Sequence, residues 1–131
     1  MGKLYVINFD ESKDKIDFAG DEMVQAGNGM VGYKLIKGTR KELELRILSQ
    51  LFKNAMNSQT EISKSFECKD CIDQVKNVDK EKFIKFEKGD MDFLKLGFTK
   101  TADRRPDVWM DECFNLFKQI ENPKEEEIKK K

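Results

Sequence analysis

The sequence predicts an α+β fold: a small, mostly antiparallel sheet built from N-terminal strands and a hairpin, packed by about three helices. Three observations support it: β-branched and aromatic runs near the N-terminus, an Asn-Gly pair between two such runs, and helix-spaced apolar stripes after residue 39. A chain of 131 residues can bury one core, whereas two separate domains would each be marginal. We expect a single domain over residues 1–121 and a charged, flexible tail over residues 122–131.

The N-terminal residues have the composition of strands. Residues 3–9, KLYVINF, are apolar, β-branched and aromatic, and Ile16 and Phe18 alternate with polar residues in a second run. We expect this second strand to pair back on the first. A further short strand is expected over residues 22–26.

Residues 27–32, GNGMVG, match the G-x-G-x-x-G pattern of phosphate-binding loops. A dinucleotide fingerprint needs a helix that starts within the glycines, because the helix N-terminus holds the pyrophosphate. Here the next residues, 33–37, are typical of a strand. Asn28 and Gly29 both tolerate a positive φ and suit a two-residue type I′ turn. The sequence therefore predicts a β-hairpin, not a nucleotide site.

The clearest helix signal follows this hairpin. Thr39 and Glu42 form a capping-box pattern, in which each side chain bonds the other residue's backbone N–H. Over about residues 40–57, apolar side chains recur at intervals of three and four, which predicts a helix with one buried stripe. The stripe contains Leu43, Ile47, Leu48, Leu51, Phe52, Ala55 and Met56. We expect Glu44 to fall mainly away from it, with the other polar residues of the helix.

Residues 60–89 give a weaker pattern. Alternation through Ile62 and Phe66 predicts a strand over residues 60–66, and residues 82–87 predict another. The stretch between them suits a short helix or an irregular loop.

Two more helices are expected towards the C-terminus. Asp90 suits the N-cap of a helix that runs to about residue 100, in which Gly97 weakens the helix or permits close packing. Pro106 suits the first turn of the last helix, which Asn122 and the following proline end. Its stripe contains Trp109, Cys113, Leu116, Phe117 and Ile120.

Composition excludes several classes of function. Lys plus Arg equals Asp plus Glu at 25 each, so the chain lacks the net positive charge that usually drives nucleic-acid binding. The chain has no histidine, which excludes Ser–His and Cys–His nucleophile pairs and histidine metal ligands. We therefore expect a protein that is not an enzyme and that uses no cofactor.

Membrane insertion and secretion are not expected either. No apolar run approaches the ~20 residues that a membrane helix needs. An odd count of three cysteines argues against a disulfide-stapled secreted domain. We expect a cytoplasmic protein, located in the host cytoplasm if a phage encodes it.

Cys68 and Cys71 form a C-x-x-C pair, which supplies half of a tetrahedral zinc site. The other half is missing, because Cys113 is the one further cysteine and it lies on the apolar stripe of the last helix. Cys68 and Cys71 are therefore weak metal candidates, and the expected state is two reduced cysteines without a metal.

Two groups of basic residues are candidate phosphate contacts. Lys34, Lys37, Arg40 and Lys41 lie at the junction between hairpin and helix, and Arg104 and Arg105 precede the last helix. The alternative is a solvated surface balanced by neighbouring carboxylates.

Aromatic residues crowd the second half of the chain. Most have the spacing of core residues, but Phe98 and Phe114 are candidate exposed anchors for a protein partner, together with Arg104 and Arg105.

The leading hypothesis is a non-enzymatic protein-binding accessory protein, encoded by a phage or mobile element, that inhibits a host system or serves in assembly. Its partner is another protein, and homo-oligomerisation is open. One alternative is a nucleic-acid-associated regulator that uses the two basic groups. A second is a small nucleotide-binding protein or an enzyme that works without histidine.

Overall fold

A computed structural model describes residues 3–101 and 105–127. These residues confirm the α+β prediction, with helices packed on small antiparallel sheets. In chain order the elements are β1 (Lys3–Asn8), β2 (Ile16–Gln25), β3 (Val31–Gly38), α1 (Arg40–Asn57), α2 (Ile62–Lys76), β4 (Phe83–Glu87), α3 (Lys88–Lys100), α4 (Asp107–Glu112), α5 (Phe114–Glu121) and β5 (Lys124–Glu127).

The strands of the described residues form two separate antiparallel sheets. One has the order β4-β1-β5, and the other is the two-stranded β2-β3 ribbon. The prediction that the second strand pairs back on the first is wrong, since β1 is flanked by β4 and β5 and β2 pairs with β3. The loop after β1 is held instead on α1, where the Asp10 backbone N–H donates to the Glu44 carboxylate at 2.7 Å. That contact directs the chain away from β1.

Part of the segment predicted as a C-terminal tail, Lys124–Glu127, forms strand β5. Its backbone pairs with β1, with Tyr5 opposite Glu125 and Val6 opposite Lys124. Charge complementarity explains why so acidic a segment pairs at this edge. Glu125 lies 3.3 Å from the Lys3 ammonium group, and Glu126 lies 2.7 Å from that of Lys85.

Helix α1 lies at the centre of the core and matches the predicted span. Thr39 is its N-cap and accepts from the Glu42 N–H at 3.2 Å, which is the first of the two hydrogen bonds that the capping-box pattern predicts. The predicted stripe is buried except for Met56, which is half-buried. At Gly97 of α3, a β-carbon would overlap the Leu51 carbonyl of α1, so the close packing considered for this glycine is present.

The strand predicted around Ile62 and Phe66 is wrong, because these residues begin α2. Both side chains are exposed, and α2 is held on the core by the stripe Cys68, Cys71, Ile72 and Val75. That stripe has helical spacing. The sequence analysis missed this helix because the exposed Ile62 and Phe66 give its first residues the alternation of a strand.

The starts of the last helices differ from the expected ones. Asp90 lies at the third position of α3 and accepts from the Glu87 N–H at 3.2 Å, so Glu87 takes the N-cap position. The single helix predicted after Pro106 is two helices, α4 and α5, which break at Cys113. This break lets Cys113 stay buried while Trp109 lies only half-buried on α4.

Candidate functional site

The G-x-G-x-x-G segment is a hairpin turn, as predicted, but of another type. The Ala26 carbonyl accepts from the Gly29 N–H at 2.9 Å, and the Ala26 N–H donates to the Met30 carbonyl at 2.7 Å. The loop therefore has three residues, and Gly29 has a φ of 84° while Asn28 is not in the left-handed region. A three-residue loop that ends in a left-handed glycine is a common hairpin connection. Since β3 follows directly, the segment offers no helix N-terminus to an anion.

The far part of the β2-β3 ribbon, which we call the distal ribbon, comprises residues 21–37. All of them are exposed. The ribbon contacts the rest of the domain near its base, where Phe18 is buried, Gly38 adjoins it and Asp21 pairs with Arg46 of α1. An isolated two-stranded hairpin is at best marginally stable in water. A ribbon with so little cover from its own domain is a candidate for binding another surface.

One face of the distal ribbon carries four exposed apolar side chains. Residues directly opposite each other in an antiparallel pair share a face, and the register places Met23 opposite Tyr33 and Gln25 opposite Val31. Leu35 follows on the same side by strand alternation. We call Met23, Val31, Tyr33 and Leu35 the outer face, because Phe18 and Ile36 lie on the opposite face, towards the core. The four side chains are between 57% and 66% exposed.

The two edges of the ribbon differ. In β2 the pairing is interrupted between Ala19 and Met23, where Asp21 and Glu22 lie in a bulge. Asp21 pairs with Arg46 of α1, and Glu22 lies 3.9 Å from the Lys34 ammonium group. Bulges and charges of this kind protect an edge from further pairing. The β3 edge carries Lys34 and Lys37 but has no bulge, and among the described residues β3 pairs only with β2.

The four basic residues of the predicted nucleic-acid cluster have different surroundings. Lys34 and Lys37 lie on the exposed strand β3. The Arg40 guanidinium lies 2.7 Å from the Glu112 carboxylate, which holds the start of α1 to α4. The Lys41 ammonium group donates to the Asp79 and Glu81 carbonyls, both at 2.7 Å. Arg40 and Lys41 are therefore engaged in contacts within the domain.

The predicted partner-binding residues near the last helices are only partly assembled. Phe98 is half-buried, with its ring centre 5.2 Å from that of Phe117 and the Arg105 guanidinium 4.0 Å above it. Phe98 lines a cleft of about 240 Å³ between α3 and α5, which is smaller than usual ligand pockets. Phe114 is half exposed. Arg104 lies outside the described residues.

The three cysteines lie in the core as thiols. Burial raises the pKa of Cys68 to about 11 and that of Cys113 to about 12. The pKa of Cys71 is also raised, first by burial and then by its hydrogen bond to the Asp90 carboxylate. Thiols of this kind are poor nucleophiles at neutral pH. Within the described part of the chain, no group of three or more Cys, Asp and Glu is placed to hold a metal ion.

Sequence reasoning did not single out the outer face. The signal was present, since Val31, Tyr33 and Leu35 alternate along one strand and Met23 lies across from them. Alternation predicts a half-buried strand in most proteins. It does not tell whether the apolar side faces the core of its own domain, and in this ribbon it faces solvent.

Comparisons of the chain with protein-family models, with curated proteins and with solved structures found no match. In the described residues, no helix combines the length and apolar character required to cross a membrane.

Proposed function

We propose that this protein is a non-enzymatic protein-binding module and that the outer face of the distal ribbon is its recognition element. The observation that carries the proposal is the exposure of Met23, Val31, Tyr33 and Leu35 along one side of a ribbon that its own domain does not cover. Contiguous exposed apolar side chains mark interaction sites in soluble proteins.

The hydrophobic effect gives the physical reason to expect a partner for this ribbon. Each outer-face side chain keeps most of its surface in water, and its burial would contribute free energy in proportion to the apolar area covered. Tyr33 is a tyrosine, a residue type that is enriched at interface centres. An extended ribbon also offers backbone groups that can pair with a strand of the partner.

Leu35→Lys tests the proposal, because it places a charge in the outer face without touching the core. A tagged wild-type chain should capture its partner from an extract of the native host. Untagged copies of the chain count as a partner in this experiment. We expect Leu35→Lys to reduce that capture by about tenfold or more, as for the loss of an interface hot spot.

Phe66→Lys is the matched control. Phe66 is 64% exposed and Leu35 is 66% exposed, but Phe66 lies on α2, away from the ribbon. Both variants should keep the free energy of unfolding within about 0.5 kcal/mol of the wild type, as is usual for surface substitutions. Equal capture by Leu35→Lys and Phe66→Lys would contradict the proposal.

The proposed setting is the cytoplasm, and the three unpaired thiols support a reducing compartment. Inhibition of a host system and service in an assembly remain the two proposed roles, for a chain of phage or mobile-element origin. They differ in the partner, which is a host protein for an inhibitor and can be a further copy of the chain for an assembly component.

A further inference from the structure

We propose that the distal ribbon binds a second copy of this chain, by antiparallel pairing of β3 with the partner's β3 about a two-fold axis at Tyr33. This inference rests on the proposed function and names its partner. It joins two ribbons into one four-stranded sheet, in which the outer-face side chains of the two copies contact each other across the new strand pair while the face itself stays exposed.

The edge chosen for pairing follows from the structure of the ribbon. The β2 edge is interrupted by its bulge and carries Asp21 and Glu22, whereas β3 runs from Val31 to Gly38 without a break in its own strand. Every residue of β3 before Gly38 is exposed. A long, open and partly apolar edge is a template for another strand.

The sequence of β3 is self-complementary in one register. With Tyr33 opposite its own copy, Val31 lies opposite Leu35 of the partner subunit, and Gly32 lies opposite Lys34 of the partner subunit. Outer-face residues then meet outer-face residues in three successive rows. Each Lys34 side chain extends over a glycine, which has no side chain to oppose it.

Each of the two neighbouring registers has a defect. If the axis moved one residue to Lys34, two ammonium groups would lie directly opposite each other, which is destabilising. If it moved one residue the other way, to Gly32, Leu35 would lose its apolar counterpart and face Gly29 of the partner subunit. The register centred on Tyr33 avoids both defects.

The net charge of the chain is compatible with a second copy, and the size of the paired edge indicates how tightly it binds. Each chain has a formal net charge of zero, so two copies do not repel each other at long range. The β3 edge offers the seven exposed residues 31–37, well below the roughly 20–30 on each side of a standard interface. We therefore expect a weak, reversible dimer.

Sedimentation equilibrium tests the inference over chain concentrations from about 1 to about 500 µM. The wild type and Phe66→Lys should shift from monomer to dimer across this range. Leu35→Lys should stay monomeric. A wild type that is monomeric throughout, or a dimer that survives Leu35→Lys, would overturn the inference.

Engineered cysteines test the register. Under oxidised glutathione, Tyr33→Cys should form a disulfide-linked dimer, because opposite β-carbons lie about 5 Å apart. Leu35→Cys alone should not, since its two copies would lie roughly 13 Å apart along the strands. A mixture of Val31→Cys and Leu35→Cys should cross-link. The native thiols are buried and should not compete. Equal cross-linking by Tyr33→Cys and Leu35→Cys would refute the register.

The two proposals fail differently. If the chain is monomeric but Leu35→Lys still abolishes capture of another protein, the second-copy inference is wrong and the proposed function stands. If Leu35→Lys alters neither self-association nor capture, both are wrong.

Discussion

Glu44 shows how residue type can mislead where helical spacing does not. It lies three, four and seven positions before Ile47, Leu48 and Leu51, so helical spacing places it within the buried stripe of α1, and it is 2% exposed. The expectation that Glu44 falls away from the stripe is wrong. Burial, reinforced by the Asp10 carboxylate, raises its pKa from 4.5 to about 7, although the Asp10 backbone N–H and Lys41 oppose the shift. The loop after β1 supplies a hydrogen bond but no countercharge in contact with the Glu44 carboxylate. Helical spacing predicts the burial of Glu44, but it cannot show the hydrogen bond to its carboxylate, because the donor Asp10 lies 34 positions away.

The raised pKa of Glu44 predicts a pH-dependent stability. A carboxyl group whose pKa is higher in the folded state contributes stability below its unfolded pKa, and that contribution is lost as pH rises towards the folded pKa. The window is therefore pH 4.5 to about 7. Relative to Glu44→Gln, the wild type should lose roughly 2–3 kcal/mol of unfolding free energy between pH 5 and pH 8.

Urea denaturation of both proteins at the two pH values measures this difference. The comparison cancels the titration of other carboxylates, because both chains share them. Parallel pH profiles for the wild type and Glu44→Gln would show that the Glu44 carboxyl group does not titrate in this window.

At the scale of elements, local signals predicted some boundaries and missed others. Helix α1 was predicted to its ends because the Thr39 cap and the buried stripe both lie within the segment itself. The ribbon turn was predicted because Asn28 and Gly29 suit a reversal whatever the rest of the chain does. The α2 helix was missed because its exposed residues are apolar, and β5 was missed because its pairing depends on distant lysines. A pattern within one segment can be recognised from the sequence, whereas a contact with a distant segment cannot.

The crossing of α1 and α3 gives a prediction at this scale. Gly97→Ala should destabilise the domain by about 1–3 kcal/mol, because its β-carbon would overlap the Leu51 backbone and force the two helices apart. Gly89→Ala is the control in the same helix, since nothing lies within 4 Å of its β-carbon position. It should be neutral or stabilise by up to about 1 kcal/mol, because alanine favours helix.

The denaturant midpoints of the two alanine variants measure this difference in stability. If Gly97→Ala were as stable as Gly89→Ala, the helices would not pack as closely as the structure has them.

For the whole molecule, the two sheets have different roles. The β4-β1-β5 sheet and the helices supply the core, which includes Phe52 and Phe86 with ring centres 5.2 Å apart. The β2-β3 ribbon adds Phe18 to that core and extends the rest of its length into solvent. We infer that the domain folds around the first sheet and holds the ribbon out for a partner. The zero net charge leaves short-range apolar contact as the main force for that encounter.

Site-specific photo-cross-linking in the native host tests this account most directly. A benzophenone amino acid at position 33 should form adducts when illuminated, and the same group at position 66 should form few. We expect the principal adduct to have twice the mass of the chain, and a heavier or lighter adduct would identify a different protein partner. Adducts from position 33 no more abundant than those from position 66 would contradict the claim that the ribbon is the recognition element.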